Sequence, residues 1–555
     1  MSSSPLKSFT LNALYERSIE NFADLTALIA YEGDVSLTYG DVASKVLQLQ
    51  AILQAQGISK GDHVALLGEN MPYWGVAYFA ITTLGAVAVP ILPDFHPNEI
   101  RHILRHAECK GFIISEKNHE LLYDESFEDL EFIINLDTLS LIEEDKSGGK
   151  LSKLLAKLSN KTSTQTSYTP QEDDTAVIIY TSGTSGHSKG VILSHKNLAS
   201  NVDATKSVAD IRSDDVFLSI LPLAHTYECT AGFLTPFSNG STVYYISKAP
   251  TPRVLLAAFE KIRPTFMLTV PLIIEKIYKN KIAPKFQGSA VMRALYAIPF
   301  MRKKLNAIAG KKLLATFGGR LRFFGIGGGK LSGHVESFLK EAHFPYSIGY
   351  GLTETSPIIA GVGVKDTRIG STGPHLQGVE IKLINVNKET GEGEVLARGP
   401  NVMKGYYKDP EKTAEVIKDG WFHTEDLGRL DKDGFLYIQG RSKNVIVGPS
   451  GENIYPELIE ALLGDRDEVL DSIVYEDQGK IVAKVHLDYE KFDALHAPKD
   501  LSEKQSAEMV EALLEELRVD LNSKVSSFSK VIKFIEQREP FEKTPTKKIK
   551  RYLYI

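Results

Sequence analysis

Short, predominantly apolar runs recur along this chain between stretches of helical spacing, and no other feature restricts its fold as strongly. HVALL, GFII, EFIIN and TAVIIY, and later FLSILPL, STVYYIS, PTFMLTVP and RFFGI, lack the strict polar–apolar alternation of a half-exposed strand. Such strands are buried on both faces, which requires helices on both sides of a largely parallel sheet. LTYGDVASKVLQLQAILQAQG reads as one covering helix, ending near Gly57, and ATFGGRL belongs to the second α/β succession. From about residue 370 to 441 the texture changes to short strands and tight turns, as in GVEIKL, GEGEVLARG and KDGFLYIQGR, which predicts an antiparallel subdomain. The 114 residues after Arg441 hold PELIEALL, SIVYE, KIVAKVHLD, a charged helix over 506–521 and a basic tail, enough for a small α+β domain. The expectation is therefore a multidomain α/β fold. Residues 1–441 form a large domain of layered α/β subdomains plus a turn-rich β subdomain, and 442–555 form the small one.

Composition narrows the function. With 555 residues and 43% hydrophobic content, two or three domains are expected. Lys+Arg 64 against Asp+Glu 70 leaves a net charge of -6, which carries no whole-protein signature of nucleic-acid binding. Cys109 and Cys229 are the two cysteines, too few for a disulfide framework or a cysteine-rich zinc site. The opening MSSSPLKSFTLNALYERS has no apolar run, so a cytoplasmic protein without a secretory leader is expected. The best candidate for a membrane span, Gly75–Val89, is too short and reads as a buried helix feeding a strand. The segment Ala294–Leu314 mixes apolar residues with Arg302, Lys303, Lys304, Lys311 and Lys312, and two readings stay open: a solvated helix or a peripheral membrane contact. Residues 159–174, rich in Ser and Thr, read as an exposed loop or linker before TAVIIY.

The chemistry-bearing loop follows TAVIIY. In TSGTSGHSKG, Gly183, Gly186 and Gly190 let successive amides face an anion, Thr181, Ser182, Thr184 and Ser185 add hydroxyls, and Lys189 adds a cation. These are the parts of a triphosphate cradle. It is not the G-x-x-x-x-G-K-[ST] loop, because Ser188 stands at the required Gly and Gly190 at the required Ser or Thr.

Taken in order, this loop, GYGLTETSP, a central Asp, GRSKNVIV and the terminal KTPTKKIKR resemble the adenylate-forming superfamily of acyl-CoA synthetases, luciferases and peptide-synthetase adenylation domains. The resemblance reaches along nearly the whole chain and is nearest in appearance to bacterial medium- and long-chain fatty acyl-CoA synthetases. It implies that Thr181–Gly190 holds the ATP phosphates, that Tyr350 (beside Gly351) stacks near adenine, and that Thr353 approaches the adenylate phosphate. It further implies Glu354 and Thr184 as the protein groups beside Mg2+, and Asp426 and Arg441 at the ribose. GIGGGKL resembles the family's adenine-side turn through Gly328 and Gly329, although Gly329 and Lys330 depart from the usual GGA pattern. Lys443 matches the hinge about which a mobile C-terminal domain turns, Gly451 and Glu452 fall near the thiol channel, and Lys548 matches the catalytic lysine, with Lys547 replacing a glycine beside it.

LPLAHTYECTAGFLTPF resembles the family segment beside the carboxylate and acyl pocket and His225 matches its histidine, with three readings open: positioning the acyl group, gating the pocket or packing in the core. Leu223, Tyr227, Phe233 and Leu234 line a hydrocarbon tunnel or belong to ordinary core. The insertion over about 279–320 favours a long acyl tail, and no acidic residue replaces the anchor that amino-acid-adenylating domains use. The implied function is an ATP-dependent fatty acid:coenzyme A ligase working through acyl-AMP, with ATP, Mg2+ and coenzyme A required and oligomeric state left open. Two competitors are an acyl-AMP ligase that loads a carrier-protein thiol and a non-catalytic nucleotide or acyl sensor.

Overall fold

A computed structural model describes residues 6–122, 130–142, 168–181, 188–248, 250–447, 453–496, 503–544 and 548–555. Two large sheets organise the body. The first has eight strands in the spatial order Gly405–Tyr406, Lys189–Ser194, Thr175–Thr181, Val87–Ile91, His63–Leu67, Gly111–Ile114, Phe132–Asn135 and Ser140–Leu141. Its central strands, including Val87–Ile91, His63–Leu67 and Gly111–Ile114, are parallel. The second has seven, running from Tyr346–Ile348 through Phe323–Ile326, Phe266–Thr269, Val216–Ser219, Thr242–Tyr245 and Thr26–Ala30 to Ser36–Thr38, parallel except at the last pair.

Between them lies the helix Pro72–Thr83, which buries every residue except Tyr73. A helix apolar on all sides has no solvent face and belongs inside a core. Trp74 and Phe79 pack against Phe233, and one continuous apolar cluster joins strands of both sheets. The segment considered for a membrane span is thus internal packing; among the described residues no helix is long and apolar enough to cross a bilayer.

ATFGGRL contributes no strand. Ala315 and Thr316 complete the helix Pro299–Thr316, and Gly318 and Gly319 turn the chain at positive φ into the strand Phe323–Ile326. Consecutive glycines favour a turn over a ladder because each adopts left-handed torsions without a Cβ clash.

The antiparallel subdomain is a five-stranded sheet of Glu380–Ile384, Gly393–Arg398, Trp421–Leu430, Ile417–Lys418 and Leu436–Arg441. Burial along Trp421–Leu430 alternates strictly, yet the inward positions are Phe422, Thr424, Asp426 and Gly428. After Arg441 a separate apolar core forms around Ile459, Leu463, Val474, Val485, Leu517 and Phe534, between a three-stranded sheet and the helices Pro456–Gly464 and Glu503–Lys524. None of the apolar clusters among the described residues spans this small unit and the body.

One buried base makes the body acid-sensitive. His195, 0% exposed, opens the helix His195–Ala204 and accepts a hydrogen bond at Nδ1 from the Leu11 amide at 3.3 Å. Burial pushes its pKa down to about 4, whereas the unfolded chain protonates histidine near about 6.5. Over that interval the unfolded state binds more protons, so stability is fully present above the upper value and falls as pH drops toward the lower one. Urea unfolding of wild type should show this loss, and His195→Gln should show a shallower slope over the same interval. An identical slope in the variant would exclude His195 as its source.

Candidate active site

The candidate phosphate loop joins two paired strands in sequence. Strands Thr175–Thr181 and Lys189–Ser194 pair antiparallel, with Thr181 opposite Lys189. Ser182, Gly183, Thr184, Ser185 and Gly186 lie outside the described residues. A strand follows the loop in sequence, and Lys189 at its start is a cation on this side. Its Nζ stands 5.7 Å from the centroid of the Tyr406 ring, and the Tyr406 hydroxyl donates to Glu354 Oε1 at 2.9 Å. Tyr406 therefore joins the cationic and acidic halves of the site. Sequence reasoning did not single it out, since an aromatic pair in a turn-rich stretch has no chemistry until the fold sets it beside Glu354.

Glu354 sits in a 3-10 turn, Thr353–Thr355, between the short strands Tyr350–Gly351 and Ile358–Ala360. A Cβ at position 351 would lie 1.8 Å from the Pro357 carbonyl oxygen, so this crossing accepts only glycine. Asn401 donates to the Thr355 carbonyl at 2.9 Å, Asn201 to that of Ile358 at 2.7 Å, and Thr230 to that of Ser356 at 3.0 Å. The Met403 amide bonds the Glu354 carbonyl at 2.8 Å. Side chains from three distant segments thus fix the backbone that presents Thr353 and Glu354.

Asp426 faces inward from its strand and is 6% exposed. Arg441, its direct register partner, bonds Oδ1 through Nε at 3.0 Å, and the Tyr350 hydroxyl donates to Oδ2 at 2.7 Å. Burial raises the Asp426 pKa above the usual carboxylate value; Arg441, Tyr350 and Lys548 pull it back. A carboxylate has about four lone-pair directions, so these bonds leave room for further donors. The glycine turn follows the strand Phe323–Ile326: Gly328 has φ +80, and Tyr227 packs against Gly327.

His225 accepts at Nδ1 from the Tyr227 amide at 3.2 Å. Burial, assisted by the charge of Lys548, pushes its pKa down to about 4, so the ring is neutral at physiological pH and carries its proton on Nε2. The π-helix Glu228–Leu234 follows. Phe233 and Leu234, both 0% exposed, and Leu223 belong to the main core, whereas Tyr227 reaches the cleft. Glu228, also overlooked in the sequence, is buried with one carboxyl oxygen unpartnered among the described residues, and burial pushes its pKa up to about 8. An acid inside LPLAHTYECTAGF was the available signal.

Near the C-terminus the Thr544 amide bonds the Lys548 carbonyl at 2.7 Å and the Lys548 amide bonds Thr544 Oγ1 at 3.1 Å. Lys543 pairs with Asp471 at 2.8 Å and Arg551 with Glu460 at 2.6 Å, tying this segment to the rest of the small unit. Lys548 is exposed to solvent and lies within electrostatic reach of Arg441, Asp426 and Glu354. Desolvation lowers its pKa, nearby Arg441 lowers it further, and Asp426 and Glu354 oppose both. The solvent contact limits that shift. Lys443 pairs with Glu425 at 2.9 Å; Lys547, Gly451 and Glu452 lie outside the described residues. Body and small unit also meet through Lys279 Nζ on the Arg466 carbonyl at 2.5 Å, Ser332 on Asp465 at 2.7 Å and Tyr455 on Glu392 at 2.7 Å.

Comparison with known proteins gives a consistent result. A long chain acyl-CoA synthetase 7, peroxisomal, of Arabidopsis thaliana is 28% identical over 98% of this chain and 84% of its own length. A long-chain-fatty-acid–[acyl-carrier-protein] ligase, chloroplastic, of the same plant is 28% identical over 83% of this chain and 74% of its own. The crystal structure of an anthranilate CoA ligase in complex with anthranoyl-AMP shares the fold, with TM-score 0.76, 22% identity and coverage of 100% of this chain and 97% of that one. The family described as AMP-binding enzyme matches residues 15–407, and the chain belongs to that family.

Proposed function

We propose that this protein is an ATP-dependent fatty acid:coenzyme A ligase that forms acyl-AMP and then acyl-CoA, with a preference for medium- to long-chain acids. The observation that carries this reading is the meeting of Lys548, Arg441, Asp426 and Glu354, from three separate parts of the chain, within electrostatic reach of one another in one cleft. The neutral His225 lies close enough to feel Lys548. The names borne by similar proteins favour a fatty acid and coenzyme A, and the 279–320 insertion favours a long acyl tail.

Two anions must be brought together in the first step. The fatty-acid carboxylate oxygen attacks the α-phosphorus of ATP; one P–O bond forms, the bridge to the β-phosphorus breaks, and pyrophosphate leaves. Lys548 holds the carboxylate against the phosphate, and Lys189 offsets charge on the departing side. His225 can donate from Nε2 without adding charge. Asp426 accepts from the ribose hydroxyls and Arg441 keeps it oriented. Among the described residues no group of three His, Cys, Asp or Glu side chains forms a metal cage. This fits Mg2+, a hard cation that takes most of its oxygen ligands from phosphates and water, with Glu354 and Thr184 as the protein contributors. When bound it withdraws charge from the phosphates.

In the second step the coenzyme A thiol attacks the acyl carbonyl and AMP leaves, so no acyl–protein bond is needed. We place the domain boundary at 441/442. Rotation of 442–555 about Lys443 would carry Lys548 out and bring the segment containing Gly451 and Glu452 toward the thiol path.

An acid panel assayed by Mg2+-dependent pyrophosphate release should give a higher specificity constant for long saturated or monounsaturated acids than for acetate, with acyl-CoA as the product when coenzyme A is supplied. Preference for acetate would reject the substrate class. A product formed only on a carrier-protein thiol would favour the carrier-loading alternative, and ATP binding without pyrophosphate would favour a sensor.

Nucleotide binding supplies a separate check. Asp426→Ala should weaken ATP binding by about 1.5–3 kcal/mol, the usual worth of a bond to a charged group. Glu354→Ala should raise the Mg2+ requirement. Unchanged ATP titrations in both folded variants would remove these residues from the site.

Rapid-quench assays of the isolated half-reactions probe the division of labour. Lys548→Ala should slow acyl-AMP formation roughly a hundredfold or more, the usual scale for losing a transition-state charge partner. It should retain most thioester formation from supplied acyl-AMP. Lys547→Ala should have the smaller effect, and Lys443→Pro should preserve adenylation while blocking thioester formation. Equal loss of both steps in Lys548→Ala is the result that overturns the scheme.

A further inference from the structure

Charge in this chain is distributed very unevenly. Between Glu275 and Glu336 there is no Asp or Glu, while Lys and Arg occur thirteen times, in a protein of net charge -6. Some of these cations have partners: Lys279 bonds carbonyls of the small unit, Arg302 pairs with Glu341 at 2.8 Å, and Arg322 with Asp215 at 2.5 Å. Lys303, Lys304, Lys311 and Lys312 are exposed, with no ion pair of their own among the described residues.

The apolar residues of the same region are also turned outward. The helix Ala290–Ala297 buries none of its residues, and Val291 is 70% exposed. The following helix, Pro299–Thr316, buries Asn306, Gly310 and Leu313 against the body. At 3.6 residues per turn, Phe300, Lys304, Ile308 and Lys311 then share the opposite, outward face. Phe300 is 65% and Ile308 55% exposed, and Ile298, at the junction of the two helices, is 50% exposed. Lys304 Nζ lies 4.4 Å from the Phe300 ring centroid. A helix that is merely solvated carries polar residues on such a face; this one interleaves large apolar side chains with lysines.

We infer that the two helices 290–297 and 299–316 form a docking surface for an anionic phospholipid bilayer. Lysines on this face attract headgroup phosphates, and Ile298, Phe300 and Ile308 enter the boundary between headgroups and acyl chains. Charge complementarity selects this occupant. A second copy presenting the same face would bring like charges together, and a nucleic-acid backbone offers nothing for the exposed apolar residues. The inference concerns adsorption alone and stands whether or not the acyl substrate has been assigned correctly.

Sedimentation of the full-length protein with vesicles, in the absence of any substrate, tests it. Binding is expected to vesicles of equimolar phosphatidylglycerol and phosphatidylcholine at low salt, to weaken as salt rises, and to be negligible on phosphatidylcholine alone. A combined Lys304→Glu, Lys311→Glu, Lys312→Glu variant and, separately, an Ile298→Ser, Phe300→Ser, Ile308→Ser variant should each lose at least about tenfold in vesicle affinity, because charge and insertion contribute separately. Circular dichroism and the urea unfolding midpoint should match wild type in both. Failure of the wild type to sediment with the anionic vesicles overturns the inference, as does unchanged vesicle affinity in both variants. Light scattering that shows a dimer dissociated by the substitutions would assign the face to self-association instead and would likewise overturn it.

Discussion

The buried pairing of Asp426 with Arg441 is the contact on which the rest of the cleft depends. A carboxylate 6% exposed is costly unless it is paired and hydrogen-bonded, and here the guanidinium and the Tyr350 hydroxyl take one oxygen each. The pair locks the last two long strands of the antiparallel sheet in register. Through Tyr350 it ties them to the loop that carries Glu354. Arg441 is also the last residue of its strand, so the same contact ends the antiparallel sheet at the point where the proposed domain boundary falls.

Around that anchor the cleft is arranged by burial as much as by charge. Lys548 feels Asp426 and Glu354 as attraction and Arg441 as repulsion, while desolvation favours the loss of its proton. An ammonium held this way gains most when further negative charge arrives, as it would when the carboxylate and phosphate of the proposed reaction enter together. His225 stays neutral in the same surroundings, so it can donate a hydrogen bond without competing with Lys548 for the anions.

Much of this architecture was legible in the sequence, for a physical reason. Runs such as HVALL and TAVIIY fit almost no environment except the interior of a covered sheet, and they form its central strands. The strand Trp421–Leu430 was harder to read: its inner face holds Thr424, Asp426 and Gly428, and a period-2 burial pattern leaves no hydrophobic trace when the buried positions are polar. The family resemblance singled out Glu354, Asp426 and Lys548, which the fold brings within electrostatic reach of one another. Tyr406 stayed hidden because its contact with Glu354 spans 52 positions and exists only after two separate strands are placed. Phe233 and Leu234 suggested a pocket by their neighbourhood, yet the side on which a helical residue points is decided by packing, and here it is the core.

The boundary between the body and the small unit is joined by hydrogen bonds and ion pairs, such as Lys279 on the Arg466 carbonyl and Ser332 on Asp465, and no apolar cluster crosses it among the described residues. Apolar area, once separated, must be rehydrated at full cost, whereas each polar contact here finds a replacement in water as soon as it opens. Under the proposed rotation about Lys443, a seam of that kind sets only a shallow energy difference between seated and swung positions. The cargo in the cleft, more than the fold, would then decide which position prevails: a ligand worth a few hydrogen bonds would be enough to tip the balance, and its departure enough to reset it.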